Sequence, residues 1–110
     1  MREGCLIGSR ASILSGGGLH SLGASGRWLP ADMTKMVQIE IGAGAWIGEG
    51  AIIIANLGPG AMAAAGSVVA APVPARVVVA GNPARMIRKL EPPAAQEESE
   101  ARDAALASVR

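Results

Sequence analysis

The sequence predicts an all-β chain wound as a short parallel β-solenoid, and three observations carry that expectation. From Ile41 the residues fall into units of six: IGAGAW, IGEGAI and, after a truncated IIAN, LGPGAM, AAAGSV and VAAPVP. A period of six fits neither an amphipathic helix nor an alternating strand, but it suits a coil in which each short strand and tight turn takes one hexapeptide. The apolar half of the chain is mainly Ala, Val and Ile, with no Phe or Tyr. Such residues fill a narrow core and cannot build a bulky one. Finally, fifteen glycines suit recurrent tight turns, because glycine accepts positive φ without steric cost.

The elements follow in chain order. Residues 5–16 (CLIGSRASILSG) hold a hexad-like pair, with Ile7 and Ile13 six apart. Residues 17–36 lose the beat and read as a loop. The repeat body, 37–80, is entered through Val37, Ile39 and Ile41, whose alternation predicts a strand. Ile41, Ile47 and Ile53 hold one phase; Leu57, Ala63 and Val69 hold another, shifted by a two-residue deletion at Asn56-Leu57. From Gly81, GNPARMIRKL reads as a turn at Asn82-Pro83 followed by a short basic segment. The repeat domain is thus expected over 5–90, with its loop at 17–36. The acidic, alanine-rich remainder, 91–110, is expected to be disordered or a marginal helix supported by Glu98 and Arg102 at i, i+4 spacing. At three hexads per coil the chain supplies about three coils, close to the minimum for a stable solenoid. A start at residue 5 without a cap implies the C-terminal part of a longer ancestor, or an edge covered by other copies.

Composition excludes several function classes. A net charge of +1 provides no field for nucleic acid, and the two tryptophans do not interleave with basic residues as a base-stacking surface requires. The single cysteine, Cys5, excludes an internal disulfide and a cysteine-based zinc site; it reads as a small buried or semi-exposed apolar residue. One histidine per chain cannot build a three-histidine zinc centre unless each subunit of a trimer supplies one. No G-x-G-x-x-G opens a helix and no P-loop is present. The apolar stretch 61–81 is broken by Pro72, Pro74 and Arg76, against a membrane span, and no signal peptide is visible. A cytoplasmic protein is expected.

The strings IGAGAWIGEGAIIIA, GAMAAAGSVV and VPARVVVAGNPARMIR, with ILSGGGLH at the loop edge, resemble the C-terminal half of the hexapeptide-repeat acyltransferases. The likeness covers about residues 6–90 and is nearest to the maltose/galactoside and lipopolysaccharide or capsule O-acetyltransferases. The resemblance implies a left-handed parallel β-helix, a handedness that reverses the usual rule for parallel crossovers, assembled as a homotrimer. It also implies acetyl-CoA in a groove between subunits, a sugar-like acceptor, and a loop histidine as general base. That chemistry requires no metal. A sugar hydroxyl is a poor nucleophile until its proton is taken, and imidazole titrates nearest working pH; a backbone N–H can then stabilise the oxyanion formed on the thioester.

Carried over by residue, the resemblance makes His20 the base, although Gly17-Gly18-Leu19 intervenes where relatives place histidine soon after the Ser-Gly that ends the strand. The acidic residue that often follows in relatives is replaced by Ser21-Leu22-Gly23. Trp46 stands in an aromatic slot that flanks the pantetheine arm or the acceptor, or packs at the subunit interface; Glu49 reads as a solvated turn carboxylate. Ala65 matches a position whose backbone bonds the pantetheine amide. Ala70 and Ala71 replace a Thr-Lys pair, keeping the backbone contact and losing the charge. Arg85 and Arg88 match the closing basic pair that grips CoA phosphates, with Lys89 adding charge. The competing expectation is a catalytically inactive, shortened β-helix with a structural or oligomerisation role.

Overall fold

The structure, a computed structural model, describes residues 1–16 and 18–91; the expectation for the acidic tail lies outside them. Among the described residues eight short strands form: β1 (Leu6–Ile7), β2 (Ser12–Ile13), β3 (Trp46–Ile47), β4 (Ile52–Ile53), β5 (Met62–Ala63), β6 (Val68–Val69), β7 (Val77–Ala80) and β8 (Arg85–Lys89). One sheet has the order β1-β3-β5-β7-β8 and a second has β2-β4-β6. All pairs are parallel except β7–β8, which is antiparallel. Single bridges Ile41–Leu57 and Leu57–Val73 mark a third side. The described residues therefore form a parallel β-helix of triangular section, with three turns and one side of a fourth.

The register explains the slip in the repeat. Trp46 pairs with Met62, and Met62 with Val78, so one turn takes 16 residues rather than three full hexads. Two sides are six residues long and the third only four: Ile41, Ile47, Ile53 and Leu57 are successive inward residues, then Ala63, Val69 and Val73. The deletion at Asn56-Leu57 thus recurs between Val69 and Val73, and VAAPVP is not a full unit. The short third side also explains why Val37, Ile39 and Ile41 do not form the expected strand. Only Ile41 is paired there, by a single bridge, and Val37 is exposed.

Each unit places its residues by the same rule. The first and fifth point inward, so Ile41, Ala45, Ile47, Ala51, Ile53, Leu57, Ala61, Ala63, Val69, Val73, Val77 and Val79 stack into one core. Burying each large aliphatic side chain contributes roughly 1.5–3 kcal/mol. Glycine second is a matter of close approach: a Cβ on Gly48 would lie 2.5 Å from the Ala65 nitrogen of the next turn. Glycine fourth is a matter of conformation: Gly44 has φ +68, in the left-handed region where a Cβ is disfavoured.

In the first turn Ile7 and Ile13 occupy the inward columns of Ile47 and Ile53, yet they are 43% and 39% exposed. Among the described residues nothing stacks above them. Cys5 is half-buried against the core, and its thiol donates to the Gly42 carbonyl at 3.1 Å. Leu6 and Trp46 are paired although 40 residues apart, so this turn carries 24 residues beyond the regular 16. These form the protruding arm, closed at its base where the Val37 N–H donates to the Ser15 carbonyl at 3.3 Å.

The segment after Gly81 is a strand, not merely a basic end. The chain reverses through Asn82-Pro83, which is cis, and β8 returns along β7.

Candidate functional site

The arm is a hairpin. The Asp32 N–H donates to the Leu19 carbonyl, Leu29 N–H to Ser21, and Gly23 N–H to Arg27, each at 2.8 Å. Leu22 and Trp28 form an antiparallel bridge between them. At the foot of the hairpin a 3-10 turn, Met33–Lys35, is capped by Asp32, whose Oδ1 accepts from the Thr34 N–H at 3.0 Å and from its hydroxyl at 2.6 Å. These bonds hold the Asp32 carboxyl below its ordinary range, the hydroxyl bond contributing most.

His20 projects from this frame and is exposed. Its Nδ1 lies 2.7 Å from the Leu29 carbonyl oxygen. A carbonyl can only accept, so Nδ1 carries the proton, and in the neutral ring Nε2 is left as an unprotonated acceptor.

On the first sheet the outward column runs Leu6, Trp46, Met62, Val78 and Arg88. It lines a groove of about 600 Å³ whose walls include Gly44, Gly60, Ala64, Ile87 and Leu90. Trp46 is 49% exposed and offers an aromatic flank; Arg88 offers a cation toward the C-terminal end. A largely apolar trough with one convergent charge is what an extended amphiphilic ligand requires. Ala65 follows Ala64 at the turn, and its N–H donates to no backbone carbonyl among the described residues.

The remaining expected residues lie elsewhere. Arg85, at the other end of β8, borders a second cavity with Ala71, Val73, Val79 and Met86 under the C-terminal end of the prism. Ala70 is exposed beside Ala71. The two closing arginines are thus parted: Arg88 opposes outward Val78, whereas Arg85 opposes Ala80 beyond an irregularity in the β7–β8 register. Glu49 is an exposed turn residue, as expected. Sequence reasoning missed Arg76. Its φ of +58 is a signal only coordinates reveal, although its place in the column of Gly44 and Gly60 follows from the 16-residue turn. Among the described residues no group of three His, Cys, Asp or Glu side chains could hold a metal ion, and no helix is long and apolar enough to cross a membrane.

No protein-family model matches the chain. It is 43% identical over 91 residues to serine acetyltransferase 2 of Arabidopsis thaliana, a stretch covering 81% of this chain and 26% of that protein. It is 42% identical over 87 residues to serine acetyltransferase 4 of the same plant, covering 77% and 22%. The chain therefore spans about a quarter of the length of these curated relatives. Among solved structures, a galactoside acetyltransferase in complex with coenzyme A superposes with TM-score 0.65 at 26% identity, over 81% of this chain and 44% of that one. A hexapeptide-repeat acetyltransferase of Vibrio cholerae, complexed with acetyl coenzyme A, gives TM-score 0.65 at 27% identity, over 82% and 48%. With the 16-residue turns and the three-sided core, these likenesses identify the fold as a left-handed parallel β-helix, and the chain belongs to the hexapeptide-repeat acetyltransferase family.

Proposed function

We propose that this chain forms the acetyl-CoA-binding and catalytic part of an O-acetyltransferase, with His20 as general base. The observation that carries the reading is the bond from His20 Nδ1 to the Leu29 carbonyl. It leaves Nε2 poised to take a proton, which is the tautomer the chemistry needs. His20 Nε2 removes the acceptor hydroxyl's proton as its oxygen attacks the thioester carbonyl carbon. The tetrahedral oxyanion is stabilised by a backbone N–H and collapses to the acetyl ester, expelling CoA thiolate, which recovers the proton from the imidazolium. The pantetheine arm runs past Trp46 and the Ala65 N–H, with Arg88 toward the phosphates, while Ala70, Ala71 and Arg85 lie outside this groove. His20 is exposed on a protruding arm, and the Trp46 groove is open along one side; both support a homotrimer in which neighbouring copies complete the site.

The acceptor in this reading is a sugar or polysaccharide-precursor hydroxyl, supported by the likeness to galactoside acetyltransferase. The higher identity to serine acetyltransferases favours a second reading, the hydroxyl of serine. The competing structural role has its support in the exposed Ile7 and Ile13 of the first turn. Release of CoA thiol from acetyl-CoA, measured with galactosides, maltose and serine in parallel, separates the three. Turnover with a sugar alone supports the first reading and turnover with serine alone the second. Acetyl-CoA binding without turnover of any acceptor removes the catalytic reading.

A further inference from the structure

The geometry points to Arg76 as a phosphate-binding residue that works with Arg88 at one end of the Trp46 groove. The assignment rests on the acetyl-CoA reading above and adds a residue to it. Arg76 occupies the corner column that holds Gly4, Gly44 and Gly60 in the preceding turns. All four share the left-handed conformation, with φ of +71, +68, +66 and +58 in chain order. Only Arg76 bears a Cβ there, and that conformation is unfavourable for any residue with one. It persists because both its backbone groups are held. The Arg76 N–H donates to the Pro59 carbonyl at 2.9 Å, and its carbonyl accepts from the Leu90 N–H at 2.6 Å.

Strain alone assigns nothing, since Arg10 is equally strained at φ +61. What distinguishes Arg76 is where its side chain goes. It lies along Gly60 of the turn above: a Cβ built on Gly60 would stand 3.3 Å from Arg76 Cγ and 3.7 Å from Nη1. Gly60 is itself a wall of the groove that holds Trp46, Met62, Arg88 and Leu90. The missing Cβ therefore makes a shelf on which the guanidinium rests at the groove's edge. Arg88 stands nearby, because Val77 and Val78, the two residues after Arg76, pair with Lys89 and Arg88. No carboxylate pairs with either arginine among the described residues, whose one ion pair is Arg2–Glu40. Two unpaired guanidinium groups, Arg88 in the lining of an apolar trough and Arg76 lying over its Gly60 wall, suit the phosphates of a nucleotide whose arm lies in the trough.

Arg76→Gly tests this in the full chain. It installs the residue the column already uses, so the fold is retained and Tm rises. Titration calorimetry should show affinity for CoA reduced roughly tenfold, while affinity for pantetheine, which lacks the nucleotide phosphates, is unchanged. Unaltered CoA affinity would overturn the assignment and leave the acetyl-CoA reading standing. An equal loss for CoA and pantetheine would also overturn it, because Arg76 would then act through groove shape. Wild-type protein that binds no CoA would remove the acetyl-CoA reading and this assignment with it.

Discussion

His20 and Leu29 face each other across the arm, with Nδ1 2.7 Å from the carbonyl oxygen, and that contact decides which imidazole nitrogen is available for chemistry. His20→Ala should therefore lower kcat by about 10²–10⁴-fold, with little change in KM for acetyl-CoA, since the groove is lined by other residues. Initial rates of thiol release measure both parameters. An unchanged kcat would exclude His20 as the base.

Two glycines of one coil should fail for different reasons. Gly48→Ala drives a Cβ to within 2.5 Å of the Ala65 nitrogen and 2.9 Å of the Ala63 carbonyl oxygen. Backbone cannot yield there cheaply, and a loss of about 1–3 kcal/mol is expected. Gly44→Ala meets open space but keeps φ +68, for a loss of about 1 kcal/mol. Urea denaturation should rank Gly48→Ala as the more damaging; the reverse order would contradict the close-approach account.

Ser67 stands where Ala51 stands one turn earlier, fully buried, and its hydroxyl has no partner. An unsatisfied buried hydroxyl costs about 1–3 kcal/mol. Ser67→Ala should thus be neutral or stabilising, seen as an equal or higher Tm. A clear drop would show that the hydroxyl is satisfied inside the prism, as by a trapped water.

Asp32 ties the arm together through its cap on Thr34. Its pKa is lowered on folding, so the arm binds fewer protons at this site than the unfolded chain does. The stabilisation is complete above the ordinary aspartate range and is lost as pH falls through the lowered value. Amide hydrogen exchange at Thr34 should quicken below that range relative to its intrinsic rate. In Asp32→Asn, which keeps a capping side chain, this acid-dependent step should be absent. The same step in the variant would assign it to another group.

Much of the fold was legible because a hexad is a local code. Ile41, Ala45 and Gly44 each declare inward, small and left-handed positions within six residues, and the observed core repeats that pattern turn after turn. The site was less legible because its members come from different turns. Arg85 and Arg88 look like a pair three residues apart, yet a register shift in β7–β8 sends one beneath the prism and the other onto its face. Arg76 reads as a break in an apolar run, and only the fold lays its side chain over Gly60 of the groove wall.

By itself the sequence determined the coil: a six-residue beat, a slender aliphatic core, and glycines where a turn must cross close to the next or adopt positive φ. Its histidine and closing arginines supplied the candidate residue types. Tertiary structure decided the 16-residue turn, the groove shared by Trp46 and Arg88, and the proton's place on His20. The physical reason is range. Inward and outward positions follow from neighbours along the chain, whereas a groove, a tautomer and a strained arginine depend on backbone atoms brought together from other turns or the opposite leg of a hairpin.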